Sequence, residues 1–223
     1  MSPARAGLDP AFADQVRARL AAAERPLLVL GGSGWSDAAT DAIGDWAERL
    51  GLPVALSFRR KDLISNDRAN YAGDLGLGCN PALTARVKAA DLILAIGARL
   101  GENPTQGYTL FTREQTAERL VHIHPGAEEL GRVWTPSLSA TADNSLAALA
   151  LSSIDPGRRW TDQAMQAHAD YETFSIPVTV TGAVNMSDCM SHLRAVLPAD
   201  AILTNGAGNF AAWLHRFHRH RAR

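Results

Sequence analysis

Residues 25–34 read RPLLVLGGSG, and the fold turns on how this stretch is read. Leu27-Leu28-Val29-Leu30 is an apolar run bounded by Arg25-Pro26 and by Gly31-Gly32-Ser33-Gly34, which predicts a short strand buried on both faces that ends in a glycine-rich turn. Upstream, Asp9-Pro10 forms a cap-plus-proline start, and Phe12, Val16, Leu20 and Ala23 recur at helical spacing, predicting a helix to about Glu24. Downstream, Ser36 or Asp37 can cap a second helix whose apolar stripe is Ile43, Trp46, Ala47 and Leu50, with Gly51 marking its end.

The same rhythm continues. Residues 53–57 predict a second strand, and residues 58–78 a loop of polar and glycine-rich character. Asn80-Pro81 starts a helix that buries Leu83, Val87 and Ala90, and residues 91–96 give a third strand ending in Gly97-Ala98-Arg99-Leu100-Gly101. A long polar loop leads to a fourth strand over 119–124; residues 137–141 predict a fifth, followed by a helix over 144–151. Strands alternating with helices in this way indicate an α/β fold, a parallel sheet with helices on both faces.

After residue 151 the pattern weakens. Residues 152–180 read as a linker carrying one helix over 160–174, and residues 181–223 as the opening of a second, partial α/β segment. In that segment Ser187 can cap a helix bearing Met190, Leu193, Val196 and Leu197; Ala201-Ile202-Leu203-Thr204 predicts one more strand, and Ala211, Trp213, Leu214 and Phe217 a last helix. A single strand cannot bury both its faces alone, so 201–204 either joins the edge of the first sheet or belongs to a domain cut short.

Composition narrows the function classes. With 46% hydrophobic and 20% charged residues, the chain has enough apolar material for a packed core, which argues against wholesale disorder. A net charge of -1 gives no reason to expect a nucleic-acid or membrane partner. The basic end, WLHRFHRHRAR over 213–223, reads as the outer face of a helix rather than a metal or nucleic-acid site. Cys79 and Cys189 show neither disulfide-framework nor zinc spacing. The opening MSPARAGLDPAF has no signal-peptide pattern, and no apolar run is long enough to span a membrane, so the expected location is cytoplasmic.

Phosphate is the ligand class that glycine-terminated strands suggest, because turn N–H groups and a helix N-terminus face it. The dinucleotide fingerprint is incomplete: in Gly32-Ser33-Gly34-Trp35-Ser36-Asp37, Asp37 stands where the last glycine belongs, and no acid follows about twenty residues on. A nicotinamide site of the usual kind is therefore not expected. Arg99, at the end of the third strand, offers a guanidinium fork to a phosphate.

RPLLVLGGSG, then GLPVALSFRRKDLISNDRANYAGDLGLGCNP, ADLILAIGARLGE and ERLVHIHPGAEELGRV, in this order, resemble the middle domain of thiamine-diphosphate enzymes of the acetolactate synthase and decarboxylase group. The resemblance covers residues 21–151 and implies a six-stranded Rossmann-like sheet, which in some members binds FAD or ADP structurally. It places such a ligand against Gly32, Ser33, the Gly76-Leu77-Gly78 turn, Gly97, Arg99 and Asp143. Asn80 and His124 depart from the flavin-binding members, which tend to have histidine and aspartate there. A second stretch, PADAILTNGAGNFAAW, is similar to the start of the family's diphosphate-binding domain; Gly208, Asn209 and Phe210 fall on a glycine-glutamine-histidine group that touches the cofactor.

By this resemblance the parent enzyme uses thiamine diphosphate and magnesium on a 2-oxo acid and is a homo-oligomer. The family's Gly-Asp-Gly and Asn-Asn magnesium motif does not occur in the sequence, and Gly44-Asp45-Trp46 lies inside a helix. These residues are therefore expected to supply no catalytic group and no metal ligand, and to be inactive alone. The competing expectation is a stand-alone FAD- or ADP-binding module without catalysis.

Overall fold

The computed structural model describes residues 5–206 and 208–221. Its core is one six-stranded parallel sheet. In chain order the elements are α1 (Pro10–Ala22), β1 (Pro26–Leu30), α2 (Asp37–Leu50), β2 (Val54–Ser57), β3 (Tyr71–Leu75), α3 (Pro81–Ala89), β4 (Leu92–Ile96), α4 (Arg113–Arg119), β5 (Leu120–His124), β6 (Leu138–Thr141), α5 (Asn144–Leu151), α6 (Thr161–Phe174), α7 (Met186–Val196) and α8 (Ala211–Phe217). The strands lie in the order β3-β2-β1-β4-β5-β6, all parallel to their neighbours.

Several helices begin where a cap residue dictates. Asp9 accepts the Ala11 N–H at 2.8 Å with Pro10 at the first position, Asn80 accepts Ala82 N–H at 2.9 Å, and Ser36 accepts Ala39 N–H at 3.3 Å. Gly51 ends α2 at φ 65°, in the left-handed region.

Side-chain alternation along the central strands divides the core in two. Leu28 and Leu30 of β1 point with Leu94 and Ile96 of β4 toward α1, α2 and α5, against Leu20, Ile43, Trp46 and Leu151. Leu27 and Val29 face the other way, with Ile93 and Ala95, onto Leu83 and Val87 of α3 and Ala167 of α6. Every residue of β1, β4 and β5 is buried.

The structure adds two elements to the sequence reading. β3 lies within the expected 58–78 loop and pairs with β2 through a register shift, Val54 opposite Tyr71 and Ala55 opposite Gly73, which leaves Ala72 as an extra residue. Gly73 adopts φ 117° there, a conformation other residues rarely take, and Gly and Asp in the strand hide it from any propensity reading. α4 lies within the expected polar loop and starts with a capping box, in which Thr112 Oγ1 and Gln115 Oε1 each accept the other's backbone N–H.

Two expectations change after residue 151. Within the stretch read as a linker, α6 packs against β3 and buries Ala164, Ala167 and Tyr171, while Trp160 donates Nε1–H to Ala23 O at 3.1 Å. Residues 161–174 are thus part of the sheet's cover. Residues 201–204 form no strand: Ile202 is 91% exposed, and the segment takes no place on the sheet. An isolated strand has no neighbour for its amides or its apolar face, so the local β preference is not realised. No helix among the described residues is long and apolar enough to cross a membrane.

Candidate functional site

β1 is followed in space by β2 on one side and by β4 on the other, so the chain leaves the carboxyl edge in opposite directions at this point. In an open parallel sheet that divergence creates a crevice. Two glycines let the strand ends close up beneath it. A Cβ on Gly32, at φ 70°, would lie 2.3 Å from Gly97 O, and one on Gly97, at φ 71°, would lie 2.5 Å from both Gly31 O and Asn144 Nδ2. The start of α5 stitches the turn in place: Asn144 donates Nδ2–H to Ser33 O at 2.8 Å, and Ser145 donates its hydroxyl to Gly34 O at 3.0 Å while accepting Ser36 N–H at 2.8 Å.

Above this floor lies a cleft of about 720 Å³ whose walls include Gly32, Ser33, Gly97 and Arg99, together with Arg60, Asn103, His124 and Asn144. Four of the sequence-predicted residues therefore meet in one place. Asp143 is held elsewhere. It caps α5 by accepting Ser145 and Leu146 N–H at 3.0 and 3.1 Å, and it pairs with Arg5 at 2.5 Å. The Arg5 guanidinium, more than any other group, holds the Asp143 carboxyl below the usual carboxylate range. Its neighbour Asn144 lines the cleft instead.

The remaining predicted residues occupy two adjoining grooves. Gly76 and Gly78 line one of about 390 Å³ with Cys79, Glu102 and Asn103. Gly208 and Asn209 line another of about 270 Å³ with Phe58, Arg59, Leu77 and Asn103. Asn103 borders all three spaces. Phe210 does not line the groove beside it; it is 55% exposed, and its ring is folded against Gly208.

The cleft wall carries charges of both signs, Arg60 and Arg99 against Glu102 and Glu128. Arg99 is largely exposed, 3.6 Å from a buried Glu129 that also takes Arg132 at 3.0 Å. Two buried polar atoms here, Arg60 Nε and Asn144 Oδ1, have no hydrogen-bond partner among the described residues, an arrangement that costs free energy unless a guest or solvent supplies one. Beneath them His122 donates Nε2–H to Ala98 O at 2.8 Å, and burial pushes its pKa down, so it sits as a neutral ring. His124 accepts Gly126 N–H at Nδ1, 3.0 Å away. Arg60, Asn103 and Asn144 were not singled out from sequence. Asn144 adjoins Asp143, and two consecutive cap-forming residues leave open which of them caps and which faces outward.

Residues 13–151 match the family described as "Thiamine pyrophosphate enzyme, central domain". The chain belongs to this thiamine pyrophosphate enzyme family. It is similar to the acetolactate synthase large subunit of Parasynechococcus marenigrum (strain WH8102), 27% identical over 198 residues, which is 86% of this chain and 31% of that protein. Acetolactate synthase 2, chloroplastic, of Brassica napus is 24% identical over 219 residues, 92% of this chain and 32% of its own. Sulfoacetaldehyde acetyltransferase of Alcaligenes xylosoxydans xylosoxydans is 28% identical over 133 residues, covering 60% of this chain and 22% of its own. The chain thus spans about a third of the length of the acetolactate synthases it matches.

Dependence on thiamine diphosphate is the family's property, and the residues present meet it only in part. The turn before α8 spends the Gly208 N–H on Gly206 O, 3.1 Å away, and α8 itself has 7 residues. Among the described residues no three His, Cys, Asp or Glu side chains gather to hold a metal ion.

Proposed function

We propose that this chain is the scaffold portion of a thiamine-diphosphate-dependent enzyme that makes or breaks a carbon–carbon bond beside the carbonyl of a 2-oxo acid. One observation carries the reading: the family's central sheet is followed by a glycine turn that shares the rim residue Asn103 with the sheet's own crevice. In this reading residues 1–151 are the middle domain, 152–180 connect it onward while lending α6 to its cover, and 181–223 open the cofactor domain. Bound thiamine diphosphate would supply the carbanion chemistry. The backbone around Gly208 and Asn209 would contribute to seating the diphosphate, and residues outside these 223 would supply the magnesium ligands and the catalytic groups. Homo-oligomeric assembly and a cytoplasmic location belong to the same proposal.

Titration of thiamine diphosphate with magnesium into the chain, followed calorimetrically, is expected to give no saturable heat at micromolar concentration, and pyruvate is expected not to be consumed. Micromolar, magnesium-dependent binding, or turnover of the 2-oxo acid, would overturn the reading.

A second reading is favoured by the two unpartnered atoms of the 720 Å³ cleft, the Arg60 Nε donor and the Asn144 Oδ1 acceptor. It makes the cleft a structural nucleotide site for ADP or FAD, with Gly32, Ser33, Gly97 and Arg99 as its floor and wall. ADP titrated into the chain would bind with micromolar affinity and lose it on Arg60→Gln; absence of binding by ADP and by FAD alike rejects this reading and leaves the first intact.

A further inference from the structure

The last described residues fold back over the connection between β2 and β3, away from the main cleft. Lys61, in that connection and 5% exposed, donates Nζ hydrogens to the carbonyls of His215 and His218, each at 2.5 Å, at the end of α8 where carbonyls lack helical partners. Asn66, fully buried, exchanges two bonds with His220: its N–H reaches His220 O at 2.8 Å and its Oδ1 accepts His220 N–H at 2.9 Å. Arg219 pairs with Glu172 of α6 and with Asp67 at 3.3 Å, and Arg221 Nε meets Asp67 at 2.9 Å. His215 Nδ1 lies 3.1 Å from Asp74. By contrast α7 buries only Ser187. The arm after α6 is thus fastened at its far end.

We propose that residues 215–221 are an acid-released clasp, holding α8 and the glycine turn before it against the carboxyl edge of the sheet. The inference is independent of which cofactor the family reading assigns.

The groups facing His218 are His220 and Arg221 of the tail, Lys61 of the β2–β3 connection and Arg194 of α7, all of them bases. Its Nδ1 is buried with no partner among the described residues. Burial first, then these neighbours, push His218 down to about 4 from an ordinary 6.5. Burial also lowers His220, with Lys61 and His215 acting in the same direction and Asp62 and Asp74 opposing. Lys61 is brought to about 8 by burial, against the pull of Asp74.

A base whose pKa falls on docking binds protons better when released. The contribution of His218 to docking is therefore at full strength above pH 6.5 and weakens as the pH drops from there toward 4. For His218 alone the docking equilibrium at pH 5 is about 30-fold weaker than at pH 7.5. Release frees Gly208 and Asn209 from the groove they share with Phe58, Leu77 and Asn103.

Hydrogen exchange of the full chain, read by mass spectrometry at pH 7.5 and pH 5 and normalised for intrinsic exchange, tests the clasp. Peptides over 211–221 are expected to lose about 30-fold protection at pH 5, while Pro26–Leu30 and Leu92–Ile96 keep theirs. The double substitution His218→Gln, His220→Gln is expected to remove most of the difference. Equal tail protection at both pH values overturns the proposal, as does simultaneous loss from the tail and the strands, or a double variant with an undiminished response. The wild-type comparison decides the matter even where that variant does not fold.

Discussion

Replacing Gly97 with alanine tests the closed floor of the cleft, and two other glycines separate its components. At Gly97 the new methyl would sit 2.5 Å from Gly31 O and from Asn144 Nδ2, with the backbone at φ 71°. Holding an ordinary residue in the left-handed region costs about 1–2 kcal/mol, and forcing a methyl into a close-packed site adds about 1–3 kcal/mol, so the expected loss is about 2–5 kcal/mol. Gly107 has φ 69° but nothing within 4 Å of its Cβ position, so Gly107→Ala isolates the backbone cost of about 1–2 kcal/mol. Gly101 has nothing within 4 Å and no positive φ, and Gly101→Ala should stay within about 0.5 kcal/mol of the parent. Urea unfolding followed by tryptophan fluorescence reads all three. With a slope of about 2 kcal/mol per molar urea, the Gly97→Ala midpoint should fall by about 1–2.5 M. A Gly97→Ala midpoint indistinguishable from that of Gly107→Ala would refute the close approach of the β1 and β4 ends.

Trp46, fully buried in α2 with Nε1–H on Ile154 O at 2.8 Å, should cost about 3–5 kcal/mol when cut to alanine, lowering the thermal midpoint by roughly 6–20 °C in a circular-dichroism melt. Thr112→Ala removes one half of the α4 capping box and should cost about 1 kcal/mol, whereas Thr112→Ser keeps the acceptor and should cost far less; equal urea midpoints for the two would count against the cap. Burial pushes the Tyr171 phenol up to about 12 and raises Tyr71 well above its ordinary 10. Their neutral forms therefore stabilise the fold fully below pH 10, and the Tyr171 contribution is lost as the pH rises through 12. Absorbance titration should leave both rings un-ionised at pH 11 in the folded chain, and early ionisation of all three tyrosines would contradict their burial.

The legible parts were those where local chemistry and tertiary context agree. Leu27 to Leu30 could only be a doubly covered strand, and Asp9-Pro10 and Asn80-Pro81 fix helix starts whatever surrounds them. β3 was hidden because Gly73 and Asp74 are poor strand formers that pairing with β2 accommodates through the shifted register. Residues 201–204 erred the other way, with strong strand preference and no neighbour. At the site, Gly32, Ser33, Gly97 and Arg99 followed from where strands end, a rule about backbone. Asn144, Arg60 and Asn103 depend on how loops turn back over that edge, which no local pattern records.

The sheet's two outer rims are finished in ways that limit strand addition by another molecule. On one side the extra residue Ala72 pinches β3 and α6 lies against it; on the other, β6 offers only 4 residues, and the chain just beyond it is engaged, Asp143 N–H bonding Ala6 O at 2.9 Å. A long, flat row of free amides is what templates fibrous stacking, and neither rim supplies one. Resistance to such growth is therefore written into the local geometry of these margins and needs no help from a net charge of only -1.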